Sequence, residues 1–241
     1  MFEKEQNFHI AIIPDGNRRW ATRKGMKPWL GHEEGAKRTE EISRKALEMG
    51  VKHLTFWGSS KDNLTKRPLI EKRALLDIYE RYFKKLIEDE EIYKNQTRIN
   101  IFGDWQSQFP SQLKNILKNG IEKTKNHQRS FLHFLLAYDG GDDMLMAVKK
   151  IAGKAKEKTA EIFEITKDLI ANNLMTAELP EVDLVIRTGV ENDPHNSAGF
   201  LMWQTQNSQY YFSDKMFPDF GVSEFEKAFE DFKNRQRRLG K

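Results

Sequence analysis

The sequence contains no cysteine, which excludes disulfides and thiolate metal sites. No apolar run approaches the roughly 20 residues needed to cross a bilayer. His-rich, Gly/Ser-rich and repeated segments are missing, and no linker separates two compositions. The opening MFEKEQNFHI is too short and too polar for a signal peptide, so a cytoplasmic location is expected. Charge of one sign is also scarce. The 40 Lys and Arg against 36 Asp and Glu leave a net +4. That suits anionic small molecules or a membrane surface and does not call for nucleic acid.

Hydrophobic residues make up 38% of the chain and charged residues 32%, enough for one core under a well-solvated surface. Residues 1–241 read as one domain. Apolar runs with the length of buried strands occur at Ile10 to Ile13, His53 to Trp57, Ile99 to Phe102, Phe131 to Ala137 and Leu184 to Ile186. Helical stretches fall at about 33–49, 69–92, 110–126, 141–156 and 161–173. Gly50 suits a stop for the first, and Pro68 a start for the second. This alternation predicts an α/β domain whose central, mostly parallel sheet is flanked by helices on both faces. Ligands of such sheets gather outside the carboxyl ends of the strands.

Directly after the first apolar run comes PDGNRRW, residues 14–20. Pro14 and Gly16 break the strand and open a turn. Asp15 supplies a carboxylate, and Asn17, Arg18 and Arg19 supply donors beside it. A carboxylate holds a hard cation, while guanidinium groups and backbone amides hold phosphate oxygens, so the set suits a magnesium–diphosphate pair. Lys24, Lys27, Gly31 and His32 then lead into the next helix, whose N-terminus favours the same anion. Taken alone, Asp-Gly-Asn is more often a plain turn with solvated neighbours. The rest of the chain decides.

Five ordered segments carry a resemblance. They are PDGNRRWATRKG with GHEEGA; FWGSSKDNLTKRP at 56–68; INIFGD at 99–104; AYDGGDD at 137–143; and DLVIRTG at 183–189, followed by GFLMWQTQNSQYYF and FPDF at 217–220. In these the chain resembles the cis-prenyltransferase family, also called undecaprenyl diphosphate synthases, from about Ile10 to Phe220. The resemblance implies one α/β domain, a long hydrophobic tunnel and a homodimer. It implies an enzyme that condenses isopentenyl diphosphate with an allylic diphosphate, with Mg2+ as cofactor. Asp15 would hold the metal and assist departure of the diphosphate, with Asn63 as the second catalytic residue. Gly16, Asn17, Arg18, Arg19, Trp20 and His32 would line the allylic pocket. Ser60, Asn63 and Arg67 would belong to the loop that positions both substrates, and Arg187 would bind isopentenyl diphosphate. Leu75, Ile78, Tyr79, Tyr82, Phe83 and Leu86 share a helical stripe, which serves equally as tunnel wall or as core and dimer interface.

The chain departs from the family where the second substrate and the metal bind. VENDPHNSAGF is longer than the usual segment, and Asn196 and Ala198 occupy the expected Arg and Ser places. His195, Asn196 and Ser197 remain candidates for phosphate oxygens, though a neutral amide does not replace a guanidinium fork. Gln209 stands where an acid is expected. It can ligate Mg2+ through its amide oxygen with one charge fewer, unless Glu191 or Asp193 compensates. Pro28 stands where many members carry arginine, with Lys27 as the stand-in. Condensation of two allylic diphosphates and a non-catalytic partner subunit are therefore the alternatives. His9, His53, His127 and His133 lack metal-ligand spacing and read as structural. Asp142 and Asp143 read as helix-start residues. Residues 224–241 form an amphipathic helix with a basic end, either solvated or in peripheral contact with an anionic membrane.

Overall fold

The computed structural model describes residues 7–156, 164–197 and 199–235. Part of the expected helix at 161–173, Ala198 and the basic end of 224–241 lie outside the described residues. The chain runs β1 (His9–Ile13), α1 (Asn17–Arg23), α2 (Pro28–Glu48), β2 (His53–Trp57), α3 (Lys61–Lys66), α4 (Leu69–Glu88), α5 (Glu90–Lys94) and β3 (Thr97–Phe102). It continues with α6 (Trp105–Gln108), α7 (Ser111–Thr124), β4 (Ser130–Leu135), α8 (Gly140–Lys156), α9 (Lys167–Asn173), β5 (Leu184–Arg187), β6 (Gln209–Phe212) and α10 (Val222–Asn234). A short 3-10 helix covers Phe217–Asp219.

The strands form a single six-stranded sheet in the order β3-β4-β2-β1-β5-β6, and every pairing is parallel. β1 is buried along its whole length, which is why its sequence HIAII does not alternate. Ile10, Ile12, Leu54, Phe56, Ile99, Leu132, Phe134 and Ile186 point to one face and form the larger core with α2, α4, α7 and α10. On the other face Ala11, Ile13, Leu135 and Val185 meet Leu179, Val182, Phe200 and Leu201 from the segments around β5. Asp143 ties α8 to this second face. Its carboxylate accepts from the Met175 amide (2.6 Å), the Thr176 hydroxyl (2.6 Å) and Tyr138 (3.1 Å).

The five expected strands are present, and two expectations need correction. The stretch 69–92 is not one helix, because Asp89 breaks it and caps α5 through its side chain. The helix placed at 33–49 begins at Pro28, so Gly31 and His32 lie within its first turns. The strand order reverses at β1: β2, β4 and β3 lie on one side of it, and β5 and β6, which the chain forms later, lie on the other. The crevice beyond the carboxyl ends of β1 and β5 is where an open parallel sheet receives a ligand.

Candidate active site

Asp15 stands two residues past the end of β1. Arg187, the last residue of β5, is its partner across the crevice, for Ile13 and Arg187 are paired in register. The Arg187 guanidinium donates to Asp15 Oδ2 (3.1 Å), to the Ser197 hydroxyl (2.6 Å) and to the His195 carbonyl (3.1 Å). Arg187 is buried while the Asp15 side chain is 40% exposed, so the acid remains open to solvent beside a held cation. The Asp15 backbone carbonyl is gripped by the Thr188 hydroxyl (2.9 Å) and the Phe217 amide (2.9 Å).

Gly16 caps α1 with φ +96, and a Cβ there would sit 2.8 Å from Met216. Only glycine meets both demands. From α1, Arg19 lies 3.6 Å from Asp15, donates to the Gly189 carbonyl (2.6 Å) and pairs with Glu191 (3.0 Å). Arg23 also pairs with Glu191 (2.8 Å). α1 and α2 approach closely enough that a Cβ on Gly31 would lie 1.8 Å from the Asn17 carbonyl oxygen, and one on Gly35 2.4 Å from Asn17 Oδ1. Asn17 Oδ1 and Arg187 Nε are both buried without a partner among the described residues, which marks them as polar atoms ready for a ligand.

A second cluster joins α1, α2 and α4. Glu71, in the first turn of α4 and 3% exposed, pairs with Arg18 (2.9 Å) and lies 3.5 Å from Arg67. Arg67 in turn faces His32 Nε2 at 3.2 Å. Burial, and then the charges of Arg67 and Arg18, push His32 down to about 3. The ring is therefore neutral near pH 7, accepts from Arg67 at Nε2, and keeps its proton at Nδ1 as a donor. Sequence reasoning missed Glu71. The available signal was an acid on the buried face of a helix, four residues after Arg67.

Other residues take different places. The Trp20 indole donates to Asp219 (2.7 Å) and Lys24 covers its ring (3.9 Å), so Trp20 fixes α1 to the 3-10 helix and its N–H is not free for substrate. Lys27 is exposed with its ammonium over Trp29 (5.2 Å). Pro28, with Arg18, Arg19 and Arg23, lines the small depression where the stand-in was expected. The Ser60 hydroxyl caps α3 by accepting from the Asn63 amide (3.1 Å), and Asn63 itself is exposed. Asn196 donates to Tyr210 (3.1 Å), and the His195 ring lies against Asp193. Gln209 opens β6 opposite Leu184, in the row of Ile10 rather than that of Ile13. That register sets it about 10 Å or more along the strands from Asp15, so within one chain the two do not share an ion. Glu191, the suggested compensating acid, is engaged by Arg19 and Arg23.

Five guanidinium groups (Arg18, Arg19, Arg23, Arg67 and Arg187) thus face three carboxylates (Asp15, Glu71 and Glu191), a local excess of two positive charges. No group of three or more acidic or histidine side chains among the described residues is arranged to hold a metal. A cation that takes one carboxylate and completes its shell with phosphate oxygens and water still fits Asp15.

Behind Asn17 and His32 a partly open cavity runs between the sheet, α2 and α4. Phe56, Leu75, Ile78, Phe83, Leu132 and Phe134 line it with apolar surface. No helix among the described residues is long and apolar enough to cross a membrane.

A family model for undecaprenyl diphosphate synthase matches residues 13–240. The chain is 37% identical over 235 residues to the tritrans,polycis-undecaprenyl-diphosphate synthase (geranylgeranyl-diphosphate specific) of Methanocaldococcus jannaschii, covering 97% of this chain and 82% of that one. It is 34% identical to an isoprenyl transferase of Thermus thermophilus, covering 97% and 88%. The solved lavandulyl diphosphate synthase of Lavandula x intermedia, in complex with dimethylallyl diphosphate, superposes with a TM-score of 0.91 at 28% identity, covering 99% and 100%.

Proposed function

The chain belongs to the undecaprenyl diphosphate synthase family of cis-prenyltransferases, and from that premise we propose how its own residues carry out prenyl chain elongation. The observation that carries the assignment of roles is the excess of guanidinium groups around one open carboxylate at the mouth of an apolar cavity. A diphosphate with an apolar tail satisfies both halves at once.

The allylic diphosphate lies over Gly16 and Asn17, held by Arg19, Arg18, Arg67 and the Nδ1 proton of His32. Its tail enters the cavity. Isopentenyl diphosphate takes its place beside Arg187 and Ser197, with Arg19 between the two anions. The allylic C–O bond breaks, the terminal alkene carbon of isopentenyl diphosphate forms the new C–C bond, and a proton is lost as the double bond is re-formed. Diphosphate is released. Arginines fixed before substrate arrives stabilise charge where it develops on the leaving group, and two anchored diphosphates hold the reacting carbons in register. Asp15 would hold Mg2+, which neutralises the leaving diphosphate when bound. Glu71 is a positioning residue: its buried carboxylate aims Arg18 and Arg67.

The reading includes a homodimer in the cytoplasm. The open edge of β6 and the exposed Leu145 (49%) and Val148 (56%) of α8 offer surface for a second copy. The second reading, condensation of two allylic diphosphates, is favoured by the segment around Asn196, whose amide is spent on Tyr210 rather than on an anion. Purified protein with Mg2+, labelled isopentenyl diphosphate and allylic primers of several lengths tests the proposal by mass analysis of the lipids. Elongated products support it. Product from dimethylallyl diphosphate alone supports the second reading, and no diphosphate release from any mixture removes both.

A further inference from the structure

α3 carries Asn63, and Arg67 caps its carboxyl end, so the placement of this short helix governs how Arg67 approaches the site. Little packing holds it. Leu64 is its single buried residue, Asn63 and Thr65 are exposed, and Asp62 and Lys66 pair with each other. The chain leading into α3 is fixed to the end of β4. There the Ser59 hydroxyl accepts from the Ala137 amide (3.1 Å), and its carbonyl accepts from the Tyr138 amide (3.1 Å). Beyond that point, Lys61 is the only charged side chain of α3 paired with another element among the described residues. Its ammonium donates to Asp142 Oδ2 (2.7 Å) and lies 3.7 Å from Asp104. Both acids stand on firm backbone. Asp142 lies in the first turn of α8, where the Asp139 carboxylate accepts from the Gly141 (2.8 Å) and Asp142 (3.2 Å) amides. The Asp104 amide donates to the Ala137 carbonyl (3.1 Å). Gly103 before it has φ +118, and a Cβ there would fall 2.0 Å from the Leu136 carbonyl oxygen, so this turn has no slack. α3 therefore reaches from Asp142 and Asp104 at one end to His32 and Glu71 at the other.

We propose that Lys61 is a positioning residue: by tying the amino end of α3 to Asp142 and Asp104, it sets Arg67 in place for the allylic diphosphate before substrate arrives. The three side chains are 38–41% exposed, so the tie is weak and biases α3 without locking it. Without it the helix swings about Leu64, and substrate binding must then supply the ordering. Apparent affinity falls in proportion to the time α3 spends out of place, while turnover of bound substrate changes little. The inference rests on the elongation reading above, and it adds a residue which that reading leaves unused.

Lys61→Met keeps the stem and removes the charge. It should raise KM for the allylic diphosphate about three- to five-fold while kcat stays within about two-fold, and Lys61→Arg should restore KM. Loss of a positive charge near the site also weakens its general attraction for an anion, so the acids supply the deciding sign. Asp104→Asn with Asp142→Asn makes the surroundings more positive. If the field alone matters, or if Lys61 itself grips phosphate, KM falls in this variant. If Lys61 acts through the two acids, KM rises by the factor seen in Lys61→Met, and combining all three substitutions adds nothing further. Amide hydrogens of residues 63–66 should exchange faster in both variants, a readout independent of turnover. A fall in kcat and melting temperature with KM unchanged counts against the positioning role. A lower or unchanged KM in Asp104→Asn with Asp142→Asn, or equal exchange in all the proteins, overturns this inference and leaves the elongation reading standing. Absence of any elongated lipid from the unaltered protein overturns both.

Discussion

Two polar clusters lie toward opposite ends of the sheet, and they serve different ends. Near the amino ends of the strands, His9, His53 and His133 lie with ring centroids 5.4–5.8 Å apart. They satisfy one another: His53 Nδ1 meets His133 Nε2 (3.1 Å), His9 meets the Thr55 hydroxyl (2.7 Å) and the Pro180 carbonyl (3.0 Å), and Asn100 meets His133 (3.2 Å). Burial holds all three neutral, His9 and His53 down to about 4 and His133 well below its usual value. At the carboxyl ends, Asp15, Arg19 and Arg187 carry surplus positive charge with their neighbours, and leave Arg187 Nε and Asn17 Oδ1 unmet. A polar cluster that closes on itself serves the fold. One that leaves charge and unpaired polar atoms over serves a ligand.

The sharpest break of this contrast is Asp15→Ala, which should lower kcat/KM by about 10³-fold with little change in melting temperature. Near-normal turnover would remove the carboxylate from the reaction. Next is Glu71→Gln, which leaves two guanidinium groups facing a neutral amide at a buried site. A loss of about 3–5 kcal/mol in denaturant unfolding is expected, together with a raised KM for the allylic substrate that a purely structural loss would not give.

The histidine cluster predicts a pH effect with a definite sign. The unfolded chain takes up protons from about pH 6.5 downward while the folded rings resist until about pH 4, so stability is full above pH 6.5 and falls as pH drops through that window. For His9, which is fully buried, the loss is on the order of 3 kcal/mol. His9→Asn should flatten the unfolding free energy between pH 4 and 6.5, and an unchanged slope would move the effect elsewhere. The smallest effect belongs to Lys27→Ala. With its ammonium over Trp29 and outside the lining of the depression formed by Arg18, Arg19 and Arg23, the change in kcat/KM should stay within about two-fold. A larger fall would restore it as the stand-in for the arginine missing at Pro28.

Much of this was legible in order along the chain. The parallel sheet followed from buried, non-alternating runs such as HIAII, and the site followed from PDGNRRW at the end of the first one. β6 was not seen as a strand because QYYF is four residues long and only part-buried, too short for either period to register. The family resemblance put Trp20 in the allylic pocket, and its indole N–H is taken by Asp219, 199 residues away. Gln209 was paired with Asp15 on the strength of a motif, and strand register alone set the two apart.

By itself the sequence determined the fold class, the family and the presence of an acid among arginines at a strand end, because burial patterns and turn residues act over a few neighbours. Tertiary structure alone decided which guanidinium faces which carboxylate, that Glu71 holds Arg18 and Arg67, and that Lys85 meets Glu40 and Arg44 meets Asp89 between α2 and α4. Those choices depend on separations of a few ångströms between residues far apart in the chain, and Coulomb and hydrogen-bond energies change steeply over such distances.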